Sequence, residues 1–165
     1  FSNMLDNSKY MFKKRENVAD IEEGPLLSPK FDNDGLIPVI TTCSKTKEIL
    51  MHGYMNVEAL KLTIESKEAH YWSRSRKEIW HKGKTSGLKQ IIKEIRIDDD
   101  QDSVWLRVKV IGGASCHVGY RSCFYRSIPI KNSEKKKKII LKFRENKKVF
   151  DPIKIYGKGN NPTKL

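Results

Sequence analysis

The chain has 165 residues, of which 38% are hydrophobic and 32% are charged, a composition typical of one globular domain with or without tails. No run approaches the roughly 18 uncharged apolar residues of a membrane-spanning helix. An odd, sparse set of three cysteines fits reduced thiols in a cytoplasmic protein better than a disulfide scaffold. The net charge of +13 is compatible with nucleic-acid binding.

Most of the positive charge lies near the C-terminus. Residues 131–165 hold 12 Lys or Arg and 3 Asp or Glu, a net charge of +9, whereas residues 31–130 hold 16 and 12, a net charge of +4. A lysine run of this kind is usually a solvated tail, and we expect one here. The chain is therefore divided into an N-terminal extension (1–30) with at most one short helix, a central domain (31–130) and a Lys-rich C-terminal extension (131–165).

The central domain predicts one principal helix among many strands. The first two strands are expected at 36–42 and 47–51. Asn56 is a suitable N-cap for a helix that continues at helical spacing through Ser66. A glycine- and serine-containing loop is expected at 82–87. Further strands are expected at 69–73, 78–81, 88–97, 104–111 and 123–128. This order indicates an α+β fold with mainly antiparallel strands.

Four aspartates surround Gln101 in the sequence Asp98-Asp99-Asp100-Gln101-Asp102. Carboxylates this close repel one another unless a cation is bound. If the preceding strand continues, Asp98, Asp100 and Asp102 share one face and Asp99 points to the other. Three carboxylates on one face suit a hard cation such as Mg²⁺. A solvated acidic hairpin turn is the alternative.

Cys116 and Cys123 flank a short segment that contains His117. Their spacing is wider than that of the Cys-x₂₋₄-Cys knuckle of structural zinc modules. They are therefore either two ligands of a site completed from elsewhere or two buried thiols. His117 is a ligand, a proton-transfer group or a hydrogen-bonded core histidine. Cys43 is interpreted as a structural thiol.

Basic and hydroxyl side chains cluster in the segments 71–76 and 80–87. Arginine supplies forked donors to phosphate, and a Gly/Ser/Thr loop supplies backbone amides and hydroxyls. The spacing is not that of a Walker motif. The candidate phosphate-binding residues are Arg74, Arg76, Lys82, Lys84, Thr85 and Ser86.

Taken together, these segments resemble the phosphoribosyl-AMP cyclohydrolase family. The resemblance begins at Gly35-Leu-Ile-Pro38 and covers about residues 31–130. Its motifs, in order, are Met51-His-Gly-Tyr-Met-Asn56, Trp72-Ser-Arg-Ser-Arg76, Trp80-His-Lys-Gly-Lys-Thr-Ser-Gly87 and Cys116-His-Val-Gly-Tyr-Arg-Ser-Cys-Phe-Tyr-Arg126.

The resemblance implies a cytoplasmic enzyme of histidine biosynthesis. Members open the adenine ring of N1-(5-phosphoribosyl)-AMP hydrolytically between N1 and C6. The family is similar in forming an intertwined homodimer, with zinc and Mg²⁺ in active sites shared between subunits. In this reaction a zinc-activated water attacks C6 and Mg²⁺ assists substrate binding. The candidate proton-transfer groups are His52, His81 and His117.

The resemblance also implies ligand sets, with one departure. Asp98, Asp100 and Asp102 match the Mg²⁺ aspartates of the family. Two of its three zinc cysteines match Cys116 and Cys123, but Asp99 stands at the position of the third. A carboxylate binds zinc through oxygen, less tightly than a thiolate does. If Asp99 points away from the Mg²⁺ aspartates, we expect it to reach the zinc site of the partner chain.

Two alternatives remain open from the sequence. One is an inactive or metal-altered homologue, in which Asp99 has weakened the zinc site. The other is a basic nucleic-acid-binding protein, which requires basic side chains spread over a face of the central domain.

Overall fold

The computed structural model describes residues 11–130, 138–159, 161–163 and 165. The helices are α1 (Val18–Glu23), α2 (Val57–Ser66) and α3 (Pro152–Tyr156). The strands are β1 (Ile37–Cys43), β2 (Ile49–Met55), β3 (His70–Ser73), β4 (Glu78–His81), β5 (Gln90–Ile97), β6 (Val104–Val110), β7 (Arg126–Ser127) and β8 (Lys142–Phe143). No helix within these described ranges has the length and apolar character needed to cross a membrane.

A four-stranded sheet with the order β2-β1-β6-β5 forms the centre of the fold. Its β1–β2 and β5–β6 pairs are antiparallel, and β1 runs parallel to β6. The hairpins β3–β4 and β7–β8 are separate antiparallel pairs. Helix α2 has ten residues against six and five in the other two described helices. The predicted α+β class, with mainly antiparallel strands and one principal helix, is confirmed.

Helix α2 begins where the sequence predicts, because the Asn56 side chain accepts a 2.8 Å hydrogen bond from the Ala59 backbone N–H. The helix buries Ala59, Leu60 and Thr63. The Thr63 hydroxyl also accepts from the backbone N–H of His70, so that the helix is joined to the start of β3. Helix α2 and strand β3 therefore cover one face of the sheet. The apolar core includes Ile37, Val39, Met55, Leu60, Tyr71, Val104, Leu106 and Val108.

Two predicted strand boundaries and the expectation of a purely solvated tail are wrong. Strand β2 continues to Met55 rather than ending at residue 51. The strand predicted at 123–128 is reduced to two residues, because pairing does not continue past Cys123: its N–H donates to the Leu50 carbonyl in β2, but the next N–H, that of Phe124, donates to the Ser122 hydroxyl. The C-terminal extension is not only a solvated tail, since β8 and α3 lie in it. Of its lysine run, residues 135–137 lie outside the described residues, and Lys138 is exposed.

A polar network crosses this apolar core. The buried Tyr71 hydroxyl donates a 2.6 Å hydrogen bond to the Gln90 side chain and lies 2.7 Å from the Thr41 hydroxyl. The Gln90 amide then donates to the Ser115 hydroxyl at 3.1 Å. Burial raises the pKa of the Tyr71 hydroxyl, so it stays a neutral donor. The network joins β1, β3 and β5 to Ser115, which directly precedes Cys116.

Replacing Tyr71 with phenylalanine should lower the free energy of unfolding by about 1–3 kcal/mol, because a buried acceptor on Gln90 loses its donor. Urea denaturation of wild type and Tyr71→Phe measures the difference. Tyr54→Phe is the matched control, because Tyr54 is only half-buried. Equal unfolding midpoints for Tyr71→Phe and wild type would contradict a stabilising role for the network.

Candidate active site

One cavity of about 1160 Å³ lies beside the β3–β4 hairpin and the loop that follows it. All nine side chains predicted to transfer protons or to bind phosphate line this cavity: His52, Arg74, Arg76, His81, Lys82, Lys84, Thr85, Ser86 and His117. Cys123 lines it as well. The structure therefore brings together residues that the sequence places up to 65 positions apart, from His52 to His117.

The β3–β4 turn supplies two exposed arginines to the cavity. The Arg74 guanidinium lies 4.1 Å from the centre of the Tyr54 ring, a cation–π distance that holds it against β2. The Arg76 Nε atom lies 3.8 Å from the Glu78 carboxylate and 3.4 Å from the Ser73 hydroxyl. Both guanidiniums stay accessible from the cavity, as phosphate binding requires.

The loop after β4 is fixed by a tight turn at Gly83. This glycine is buried and has a φ of +87°, and a Cβ atom there would lie 2.4 Å from the Lys89 backbone nitrogen. The turn is closed by a 2.8 Å hydrogen bond from the Gly87 N–H to the Gly83 carbonyl. Lys84 and Thr85 are consequently exposed at its tip, where they line the cavity.

Lys82 differs from the other basic candidates because its side chain is buried, with 2% of its surface exposed. Its ammonium donates a 2.6 Å hydrogen bond to the Ser115 carbonyl and lies 5.0 Å from the centre of the Trp80 ring. Loss of hydration lowers the pKa of this ammonium, whereas the nearby thiols Cys116 and Cys123 raise it. Its positive charge therefore faces the cysteine loop.

The cysteine loop (115–123) brings two thiols together next to this charge. Cys116 is buried, and its sulfur accepts a hydrogen bond from the Cys123 thiol, which, together with backbone donors and Lys82, lowers the pKa of Cys116 to about 6. The same interaction raises the pKa of Cys123. One thiolate is therefore available near neutral pH, and thiolate is the form that binds a soft metal ion.

The three histidines occupy different surroundings. The His81 ring stacks on His70 at 4.3 Å, and its Nε2 atom lies 3.5 Å from the Glu68 carboxylate. His117 is half-buried, and burial lowers its pKa. His52 is exposed and packs edge-on against a tyrosine. His81 has a carboxylate that can orient it, and His117 is held in its neutral, proton-accepting form.

The acidic segment lies outside this cavity, in the turn between β5 and β6. Ligand oxygens of Asp98, Asp100 and Asp102 lie within 4.8 Å of one another. The premise that the strand continues through them is wrong, because β5 ends at Ile97. A turn brings the three together, with the Gln101 N–H donating to the Asp98 carbonyl at 3.1 Å. Hydrogen bonds with Asp98 and Asp100 raise the pKa of Asp102 to about 6.

Asp99 is exposed in the same turn. Because β5 ends before Asp99, strand alternation does not set the direction of its side chain, and its placement away from the other three stays a prediction. Within the described ranges, Asp98, Asp100 and Asp102 form the one group of three or more side chains placed to bind a metal. Asp99 does not join Cys116 and Cys123 within a single chain.

Sequence reasoning missed the contribution of the C-terminal extension. Glu145, with 10% of its side chain exposed, accepts hydrogen bonds from the backbone N–H groups of Arg121 and Ser122 and so supports the cysteine loop. The Thr163 hydroxyl lies 3.3 Å from His117 Nε2. Nothing in the sequence signals these contacts, which join residues 23 to 46 positions apart. Further cavity residues from this extension are Ile155, Tyr156, Gly159, Asn161 and Pro162.

A central sheet with a flanking hairpin carries basic side chains around a nucleotide-sized cavity, with Cys123 and three histidines in its wall, an arrangement typical of an enzyme that acts on a phosphorylated small molecule. The sequence profile of phosphoribosyl-AMP cyclohydrolase matches residues 51–125. A phosphoribosyl-AMP cyclohydrolase of Rhodopseudomonas palustris is 50% identical over 141 residues, which is 86% of this chain and 93% of that protein. The proteins of the same name from Sinorhizobium fredii and Agrobacterium fabrum are 46% and 47% identical, covering 86% and 82% of this chain and 91% and 89% of theirs.

The chain belongs to the phosphoribosyl-AMP cyclohydrolase family. The predicted enzyme class, a hydrolase of histidine biosynthesis, is thereby confirmed. The similarity to the Rhodopseudomonas protein spans 141 residues, against the 100 residues of the segment 31–130. At least 41 of the matched residues therefore lie in the two extensions.

Lys82→Met should raise the pKa of Cys116 above its value of about 6, because the charge that stabilises its thiolate is removed. The ultraviolet absorbance of the thiolate, followed against pH in metal-free protein with Cys43 replaced by serine, measures this pKa. Lys84→Met is the control, because that lysine is exposed at the loop tip. An unchanged titration in Lys82→Met would contradict the electrostatic role.

Proposed function

We propose that the chain hydrolyses N1-(5-phosphoribosyl)-AMP in the cavity between the β3–β4 hairpin and the cysteine loop. The observation that carries this proposal is the convergence of all nine predicted proton-transfer and phosphate-binding side chains on one cavity. Its volume of about 1160 Å³ is sufficient for a nucleotide with two phosphates. Adenine ring opening breaks the N1–C6 bond as water adds to C6, and N1 leaves with a proton.

The two sets of candidate ligands differ in chemistry, and each fits one of the metals expected for the family. The three clustered carboxylates are hard oxygen ligands, suited to Mg²⁺ with water completing its coordination. The thiol pair of Cys116 and Cys123, one of them ionised near neutral pH, suits zinc but needs further ligands. When bound, zinc would activate water for attack on C6. Because the acidic turn lies outside this chain's cavity, Mg²⁺ held there would offset the phosphate charge at a site shared with a partner chain.

The residues around the cavity have separate roles in this proposal. Arg74, Arg76 and Lys84 bind the phosphates through charged donors, assisted by the hydroxyls of Thr85 and Ser86. Neutral His117 accepts a proton from the attacking water, and His81, oriented by Glu68, carries a proton to or from the purine. The main role of Lys82 is to stabilise the Cys116 thiolate, since its ammonium is buried next to the cysteine loop. A contact between Lys82 and phosphate stays a prediction.

A homodimer would supply the ligand that the thiol pair lacks. The sheet face opposite α2 exposes Ile40 and Ile49, whose exposed fractions are 42% and 50%. A groove of about 510 Å³ on this face is lined by both, by Trp105 and, at its rim, by Asp98. Apolar side chains of this kind on a sheet favour contact with a second copy. Asp99 follows Asp98 directly, and so would lie at the border of that interface.

Mixing two inactive variants tests whether the sites are shared between chains. Asp99→Ala and Cys116→Ser chains should each be inactive, since each removes a zinc ligand. When they are mixed, denatured and refolded together, half of the dimers combine one chain of each kind. Each such dimer has one intact site, so that about a quarter of the wild-type activity should return. The readout is the ultraviolet change on ring opening of N1-(5-phosphoribosyl)-AMP, with zinc content measured on the same samples.

The mixing experiment separates the alternatives. A mixture that stays inactive while wild type turns over substrate would contradict a zinc site shared between chains. A wild-type protein that is folded but contains no zinc and shows no turnover would favour the metal-altered homologue. Asp99→Cys should bind zinc more tightly than wild type, because a thiolate replaces a carboxylate.

Arg74→Ala should raise KM for N1-(5-phosphoribosyl)-AMP by about tenfold or more, since a charged hydrogen bond to phosphate contributes about 1.5–3 kcal/mol. Steady-state kinetics at saturating Mg²⁺ measure the change. Lys77→Ala in the same hairpin turn is the control, because this lysine is exposed and absent from the cavity wall. Unchanged KM and kcat in Arg74→Ala would remove this arginine from the phosphate site.

The division of the chain into 1–30, 31–130 and 131–165 and a cytoplasmic location both stay predictions. The three cysteines are free thiols, as a reducing compartment would keep them. The central domain supplies most of the cavity, and the C-terminal extension supplies part of its wall.

A further inference from the structure

The N-terminal extension makes hydrogen bonds to the acidic turn, residues 98–102, through Gln101. Gln101 is buried, with 5% of its surface exposed, although the aspartates before it are exposed. Its side-chain oxygen accepts a 2.7 Å hydrogen bond from the Ser28 N–H. Its side-chain nitrogen donates to the carbonyls of Ile21, at 2.9 Å, and Leu26, at 3.4 Å. Both ends of this amide are therefore satisfied by the backbone of one segment, residues 21–28.

Two further contacts join the same partners through the backbone of the turn. The Lys30 N–H donates a 2.7 Å hydrogen bond to the Gln101 carbonyl. The Arg15 guanidinium donates to the Asp100 carbonyl at 2.9 Å and also to the Ser28 carbonyl. The acidic turn and the N-terminal extension are thus connected at two consecutive residues of the turn, across more than 70 positions of sequence.

These contacts hold an unusual backbone conformation. Gln101 has a φ of +57°, in the left-handed region that disfavours residues with a side chain by about 1–2 kcal/mol. Such a conformation persists where the surroundings fix it. At Gln101 the left-handed conformation reverses the chain between Asp100 and Asp102, and Asp98 then accepts from the N–H groups of Asp102 and Ser103 at 2.9 and 3.1 Å. The position of the three carboxylates therefore depends on the residue between them.

We propose that Gln101, anchored by residues 21–28, is a positioning residue for the cation site of Asp98, Asp100 and Asp102. This inference rests on the proposed function, in which these carboxylates bind Mg²⁺. Mg²⁺ requires near-ideal octahedral geometry at short distances, so a small displacement of the turn weakens its binding. The N-terminal extension is then part of the site, although none of its residues supplies a ligand.

Gln101→Gly tests the proposal directly. Glycine adopts a positive φ without strain, so this variant removes the anchor and leaves the turn free to form. The dissociation constant for Mn²⁺, measured by electron paramagnetic resonance on the full chain, should rise by about tenfold, as for other residues that orient metal ligands. The Mg²⁺ concentration needed for half-maximal activity should rise in parallel, with kcat at saturating Mg²⁺ and the zinc content unchanged.

Matched variants separate positioning from charge and from stability. Arg15→Ala should weaken Mn²⁺ binding in the same direction, whereas Lys14→Ala removes an equal but exposed charge from the neighbouring position and should not. Asn56→Ala lowers stability by about 1 kcal/mol through loss of the α2 cap and leaves the side chains of the turn unchanged, so it should bind Mn²⁺ as wild type does.

The outcomes distinguish loss of the positioning role from loss of the cation site itself. Wild-type Mn²⁺ affinity in both Gln101→Gly and Arg15→Ala would overturn the positioning role and leave the cation site standing. Equal Mn²⁺ binding by wild type and Asp100→Asn would show that the carboxylates are not the cation site, so that both the site and the positioning role fail. A weakened affinity shared by Asn56→Ala would also overturn the proposal, because instability alone would explain it.

Discussion

The hydrogen bonds that Tyr71 and Gln90 make inside the core fix the position of the hairpin and the cysteine loop around the cavity. A buried amide and phenol must be paired, and here the pairing runs from Thr41 on β1 through β3 and β5 to Ser115. The Ser115 carbonyl in turn accepts a hydrogen bond from the Lys82 ammonium. Ser115 also directly precedes Cys116 in the chain. The sheet, the hairpin and the thiol pair therefore share one polar connection, and a shift in any of them would leave buried groups without partners.

Much of the fold could be predicted from sequence, because its signals are local. Asn56 caps the start of α2 as predicted, and the loop predicted at 82–87 from its glycines lies between β4 and β5. The contents of the cavity were also predictable from motifs, although the cavity itself was not. The predictions that failed depend on individual hydrogen bonds rather than on residue pattern. The strand expected at 123–128 is interrupted where the Phe124 N–H donates to the Ser122 hydroxyl, and the turn at Gln101 is stabilised by the distant residues 21–28.

The charged composition of the two extensions does not indicate that they contact the cavity and the acidic turn. The C-terminal extension is basic enough to be a solvated tail, and Lys147 and Lys148 are indeed exposed. Yet Glu145, one of three acidic residues among residues 131–165, is nearly buried against the cysteine loop. In the N-terminal extension, Arg15 similarly contacts backbone carbonyls rather than carboxylates. Single side chains connect these extensions to the rest of the protein. Composition and periodicity are properties of whole segments, so they do not predict the contacts of one side chain.

The contribution of both extensions to the site has a consequence for folding during translation. The segment 21–28 leaves the ribosome long before its partner Gln101, and the cavity wall is complete only once Asn161 and Pro162 have emerged. All four strands of the central sheet end by Val110, so they emerge before these last residues of the cavity wall. The sheet can therefore form while the cavity is still open on one side, and a nascent chain completes its cavity wall as one of its last folding events.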